Sequence, residues 1–353
     1  MPSGLFGIVH SNREDDKHWT KNCFNSSFPT ALACYMMERN IPAIYAKLAV
    51  VNNELKVVCE EISINELFNC GTLHPQDLDF HFESKFNPYQ AYCIDQIDPI
   101  DLVVKDTSGN FLAPVEVKLT VLPTSATADR PEAEWASEIV VRTATTSYLA
   151  LGVWDAVKDH RDRVRDIFED VCGGIGSWTN DYEMAHKTAS LRDALNVFER
   201  EFIDYQRPLV MQPIWKTQGQ TPLLSDEAFD IVVWSNLAFS RLFIENEIKE
   251  TMSRPMRATA RMARCIWELS RSGRVRMEDI YRQMTFGQQN DKEANPAGKG
   301  WRKYISTDRV LHPVVPKTAI REILAPNYTE MLKPERRLDQ TLYYDALFTA
   351  GNE

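Results

Sequence analysis

Several things are scarce in this chain, and each scarcity excludes something. No apolar run approaches the ~20 residues that span a bilayer, so no membrane association through a helix is expected. The opening MPSGLFGIVHSNREDDKHW has a short apolar patch but no basic stretch before it and no longer apolar core, so it does not read as a secretory leader. The seven cysteines, at 23, 34, 59, 70, 93, 172 and 265, are odd in number and scattered, with no Cys-x-x-Cys and no Cys/His pair at zinc spacing. Buried thiols in a reducing cytoplasm account for them. A phosphate-binding loop is missing too: Cys172-Gly173-Gly174-Ile175-Gly176 lacks the following basic residue and a preceding strand, and reads as a helix end and turn. No internal repeat and no low-complexity tract stands out.

Positive charge is also short overall. The net charge is −10, which argues against a general polyanion binder, but its distribution is uneven. Between Glu60 and Asp101 nine acids meet one base, Lys85, whereas between Lys249 and Arg321 sixteen bases meet seven acids. One part of the chain can gather cations and another can face phosphates. At 353 residues the chain can bury a sizeable core as one large domain or two.

What is present centres on Ile94 to Thr127, IDQIDPIDLVVKDTSGNFLAPVEVKLTVLPTSAT. The apolar run Leu102-Val103-Val104 is entered through Asp101, and Thr107-Ser108-Gly109-Asn110 offers Gly and Asn for the positive φ angles of a hairpin turn. A second strand-like run, Val115-Glu116-Val117-Lys118-Leu119, follows. Residues two apart share a strand face, so Glu116 and Lys118 project together and a hairpin brings Asp101 near Glu116. Two carboxylates, helped by the Val117 carbonyl, suit Mg²⁺ as hard oxygen ligands. A lysine beside them can position a water that the metal acidifies. The pattern resembles the PD-(D/E)xK nuclease core. The same Glu-x-Lys also describes a solvated strand face with a cross-charge pair. Asp98, just before Pro99, competes with Asp101 as first ligand; Asp101 is preferred because it abuts the apolar run, while a residue before proline belongs in a turn.

Around this stretch the rest of the chain reads as follows. Residues 1–28 form an irregular arm in which Lys21, Asn22, Asn25 and Ser26 suit phosphate and base-edge contacts, or simply a loop. A helix of roughly ten residues follows Pro29 and carries Glu38, a possible additional acid or a surface residue near a helix end. Ala43–Val51 and Leu55–Cys59 read as a hairpin around Asn52-Asn53, and a short helix covers Ile64–Phe68. A long helix is expected from about Glu132 to Lys158, its hydroxyls bonding back to the preceding turn or, with Arg142 and Thr143, meeting DNA. A polar helix spans 188–207, strands span Leu209 to Trp215 and Phe229 to Trp234 with a loop over 216–227 between them, and a helix covers Ser235–Glu250. Arg257, Arg261 and Arg264 share a helix face within 256–282, which Gly273 breaks into a helix–turn–helix able to read DNA or merely to sit on an α/β protein. Gln288, Gln289, Asn290 and Lys292 follow in a loop-like segment whose side chains suit adenine and guanine edges.

The chain as a whole resembles the type II restriction endonucleases of the HindVP / HgiDI group. The resemblance rests on SNREDDKHWTKNCFNSSFPTALACYM, on IDLVVKD…APVEVKLTVLPTSAT and, near the end, on FGQQNDKEA…GKGWRKY and LKPERRLDQ. It implies an α/β fold with a PD-(D/E)xK core, a mixed central sheet flanked by helices, plus additional helical C-terminal elements. It further implies Mg²⁺-dependent cleavage of double-stranded DNA, a homodimer, a degenerate palindromic target such as GRCGYC, a cognate DNA methyltransferase and a prokaryotic cytoplasm. The motif's usual Pro-Asp is here Ile100-Asp101. Asp101, Glu116 and Lys118 would be catalytic, with Asp101, Glu116 and the Val117 carbonyl on the metal. The expected organisation is a catalytic core with the N-terminal arm over 1–245 and a basic, mainly helical region over 246–353. Two rivals stay open: a non-catalytic sequence-specific DNA-binding protein and a structure-specific repair nuclease on the same core.

Overall fold

Residues 8–10, 33–34, 36–37, 39–117, 143–173, 181–213, 216–218, 221–223, 231–245 and 254–286 are described by the structure, a computed structural model. Apolar runs bounded by turn residues supply the strands: β1 (Ile8–His10), β2 (Ala43–Val51), β3 (Glu54–Ile62), β4 (Leu78–Ser84), β5 (Ile100–Asp106), β6 (Phe111–Val117), β7 (Pro208–Pro213), β8 (Lys216–Gln218), β9 (Thr221–Leu223) and β10 (Ile231–Ser235). The helices are α1 (Ile64–Leu67), α2 (Thr143–Val157), α3 (Arg161–Cys172), α4 (Asp181–Glu201), α5 (Asn236–Glu245), α6 (Arg254–Ser272) and α7 (Met277–Gln283).

Eight strands form one sheet in the order β1-β4-β5-β6-β7-β10-β2-β3, while β8 and β9 pair apart from it. The sheet is mixed. β1 with β4, β6 with β7 and β10 with β2 run parallel, and the remaining neighbours run antiparallel. A parallel pair cannot be joined by a tight turn, and between β6 and β7 the crossover carries α2, α3 and α4. The β2–β3 hairpin turns on Asn52 and Asn53, at φ of 51° and 64°, the left-handed pair a two-residue turn needs. Segment 216–227, expected as a loop, instead contains the β8–β9 ribbon.

The helices gather on α6, which packs against α2, α3, α4, α5 and α7. Enclosed in this way, α6 is apolar on most sides: Ala260, Met262, Ala263, Cys265, Ile266 and Leu269 are all buried. The consecutive buried run Tyr148–Trp154 does the same for α2, whose Leu149 and Trp154 share one core with Val103 of β5 and Ala46 and Leu48 of β2. Ser235 caps α5, its hydroxyl accepting from the Ala238 amide at 2.9 Å. Buried Glu199 of α4 accepts from the Ser240 hydroxyl at 2.7 Å and pairs with Arg241 of α5 at 3.4 Å.

One expectation is corrected here. Arg257, Arg261 and Arg264, read as one basic face open to DNA, are buried. The Arg261 guanidinium donates twice to the Met284 carbonyl, at 3.1 and 2.8 Å, and lies over the rings of Tyr281 and Phe286 at 4.8 and 5.5 Å. Arg264 pairs with Glu268 and lies over Trp267. A guanidinium is weakly hydrated and stacks on aromatic faces, so this row of arginines fits inside once rings and a backbone carbonyl receive it. Gly273 does break the helices as expected, with φ +74° and its amide bonded to the Leu269 carbonyl.

Candidate active site

The site grows from the β5–β6 hairpin. Asp106 opens its turn: the Gly109 amide donates to the Asp106 carbonyl at 2.9 Å, and the Asp106 carboxylate accepts from the Asn110 amide at 2.8 Å and the Asn110 side chain at 2.7 Å. Those bonds, the Asn110 side chain foremost, hold the Asp106 carboxyl below its ordinary range. Gly109 supplies the positive φ, at +90°, whereas Asn110 acts as a side-chain clasp instead.

That turn fixes the register. Val104 pairs with Ala113, Val103 with Pro114 and Leu102 with Val115. Asp101 and Glu116 come next along their two strands, Asp101 on the face of β5 that carries Val103 by alternation. Glu116 is 6 % exposed, Asp101 is half-buried, and β7 flanks Glu116 through Val210. The hairpin places the two residues of the sequence pattern on neighbouring strands.

Helix α2 lies over this face. The Thr145 hydroxyl donates to Glu116 Oε1 at 2.7 Å, and Thr145 is 2 % exposed. Thr146 and Ser147, also buried, hydrogen-bond with the Tyr281 hydroxyl of α7, whose phenol burial raises well above its ordinary value. Tyr148 of the same helix accepts from the Phe86 amide at 3.0 Å and donates to the Asp98 carbonyl at 2.8 Å, pinning the entry to β5. Asp98 itself lies in the irregular segment ahead of the strand. Partial desolvation and then the charge of Asp95 raise its carboxyl, although the residue is exposed.

A buried carboxylate is stable only where hydrogen bonds or opposite charge meet it. Thr145 answers part of that need, and the hard oxygens of Asp101 and Glu116 suit a divalent cation that keeps several waters. Among the described residues no group of three or more His, Cys, Asp or Glu gathers to hold a metal. Lys118, Glu38, Lys21, Asn22, Asn25, Ser26, Arg142, Gln288, Gln289, Asn290 and Lys292 lie outside the described residues, and Thr143 is described only as the first residue of α2. Thr145, one of the hydroxyls expected to bond back along the helix or to meet DNA, instead donates to Glu116. Its signal was there: a buried hydroxyl in an apolar helix that follows the second carboxylate strand.

Asp101 and Glu116 thus lie on neighbouring strands of a mixed sheet in an α/β protein. Among characterised proteins, the chain is 32% identical to the type II restriction enzyme HgiDI of Herpetosiphon aurantiacus, over 96% of this chain and 95% of that protein. It is 28% identical to the probable type II restriction enzyme HindVP of Haemophilus influenzae, over 96% of this chain and 92% of that one. No solved structure matches. Residues 19–348 match the HindVP restriction endonuclease family, and the chain belongs to it. It is therefore a restriction endonuclease, a hydrolase in enzyme class.

Proposed function

We propose that this protein is a type II restriction endonuclease that cuts double-stranded DNA at a specific sequence by Mg²⁺-dependent phosphodiester hydrolysis, on a PD-(D/E)xK core. The observation that carries the mechanism is the β5–β6 register, which sets Leu102 opposite Val115 and so leaves Asp101 and Glu116 as the next residues along neighbouring strands, in a chain belonging to a restriction endonuclease family. Asp101, Glu116 and the Val117 carbonyl hold the cation. When bound there, Mg²⁺ supplies charge neutralisation at the scissile phosphate and a lowered pKa for the attacking water. Lys118, two residues after Glu116 and so on its strand face by alternation, orients the nucleophile and meets the negative charge that builds on the phosphorane-like transition state. Asp101 is preferred to Asp98 as the ligand because Asp101 lies within β5, whereas Asp98 lies ahead of the strand.

A twofold dimer fits a palindromic target, one subunit cutting each strand, and GRCGYC is the proposed target. Such an activity in a prokaryotic cytoplasm needs a cognate methyltransferase to protect host DNA. The proposed organisation is a core over 1–245 with its DNA-contacting arm, and a basic region over 246–353. Incubation with unmodified phage DNA, with Mg²⁺ or with EDTA, followed by sequencing of fragment ends, tests this. Discrete Mg²⁺-dependent fragments sharing one terminus are expected. Intact DNA in both lanes would return the protein to a binding role, and a smear would make it a non-specific or structure-specific nuclease.

A further inference from the structure

We infer that Thr145 is a positioning residue for the metal-binding carboxylate, and that α2 sets the metal affinity of the site through it. The inference rests on the reading of Asp101 and Glu116 as metal ligands. Glu116 sits on a strand, where it pairs with Val210 of β7 next to Val115, which pairs with Leu102 of β5, but its side chain has three rotatable bonds and needs a partner to hold its plane. Thr145 Oγ1 provides it at 2.7 Å, from a helix of another segment 29 residues away. Both residues are over nine-tenths buried, so water competes little for either end of that bond and its geometry is stringent. A threonine hydroxyl has two preferred helix rotamers, one of which bonds back to its own preceding turn; donation to Glu116 selects the orientation that serves the strand.

The helix itself is held against rotation. Its next two hydroxyls, Thr146 and Ser147, engage Tyr281 of α7, and Tyr148 spans the Phe86 amide and the Asp98 carbonyl. Four successive residues of α2 thus fix the carboxylate, the segment that leads to Asp101 and the C-terminal helix pair. Partners that orient a metal's ligand commonly matter about 10- to 100-fold in metal affinity or activity. Thr145 is such a partner.

The test uses the full-length protein and four variants: Thr145→Val, Thr145→Ser, Glu116→Gln and Asp101→Ala. Mg²⁺ binding is read by titration calorimetry, cleavage rate as a function of Mg²⁺ concentration, and melting temperature for each. Thr145→Val is expected to weaken Mg²⁺ binding about 10- to 100-fold and to shift the Mg²⁺ dependence of cleavage by the same factor, with much of the rate recovered at high Mg²⁺. Thr145→Ser keeps the hydroxyl and should restore wild-type Mg²⁺ affinity even if its melting temperature falls, an outcome a packing role would not give. Wild-type Mg²⁺ affinity in Thr145→Val, or equal weakening in Thr145→Ser, overturns the inference while leaving the metal reading intact. Wild-type Mg²⁺ binding and cutting in both Glu116→Gln and Asp101→Ala overturns the metal reading itself, and the role of Thr145 with it.

Discussion

Asp101 lies within β5, next to Leu102, which pairs with Val115 beside Glu116, and that separates it from Asp98. Asp98 lies three positions earlier, ahead of the strand, with its carbonyl bonded to Tyr148. Asp98→Ala should therefore cut DNA at close to the wild-type rate, while Asp101→Ala should be inactive, as single-turnover assays on a plasmid would show. Lys118→Ala should lower the cleavage rate by about 10²–10³-fold, the usual cost of removing one group that meets transition-state charge, with specific DNA binding kept in a gel-shift assay. Cutting at wild-type speed by Lys118→Ala would remove the lysine from the mechanism. At this scale the sequence was readable where one hairpin spaces the residues, as between Leu102 and Val115. Thr145 was harder, since a hydroxyl in an apolar helix ordinarily bonds to its own backbone, and only the packing of α2 on the sheet shows it turned to Glu116.

Elements were legible in proportion to how local their causes are. The Asn52-Asn53 turn, the β5–β6 hairpin and the break at Gly273 all follow from residues that tolerate a left-handed backbone, and all are present. Gly273→Ala forces a Cβ into that region at φ +74° and should cost about 1–2 kcal/mol, measurable as a shift of the urea midpoint. The arginine row of α6 was not legible, because arginines at helical spacing read as a wet face until their acceptors are known. Arg261 donates to the carbonyl at the end of α7, so Arg261→Ala should leave that buried carbonyl short of its donors and destabilise the protein by about 1–3 kcal/mol. Equilibrium denaturation checks it, and an unchanged midpoint would mean the arginine is dispensable to the α6–α7 packing.

Across the whole molecule, a charged node joins distant segments. Asp155 of α2 accepts from Tyr92 at 2.5 Å and from Lys158 at 2.9 Å, and pairs with Arg207 just before β7. Desolvation pushes its carboxyl up, but the bonds from Tyr92 and Lys158 and the charge of Arg207 outweigh it and hold the group below its ordinary value. A carboxyl depressed in the folded state binds its proton more readily when unfolded. Its stabilisation is present above the ordinary carboxylate range and is lost as pH falls through the folded value. Asp155→Asn should thus be less stable than wild type by about 1–3 kcal/mol at pH 7, with the gap closing below about pH 4, as thermal melts across pH would reveal.

Helix α6, residues Arg254–Ser272, is the common partner of α2, α3, α4, α5 and α7, yet it is made after most of them. On the ribosome the carboxylate hairpin and the helix that steadies Glu116 emerge long before the element that closes the core around them. Chains grow at about 5–20 residues per second, so seconds pass in which the cutting residues exist without a framework to hold them. That order of synthesis delays completion of the core until α6 has been made.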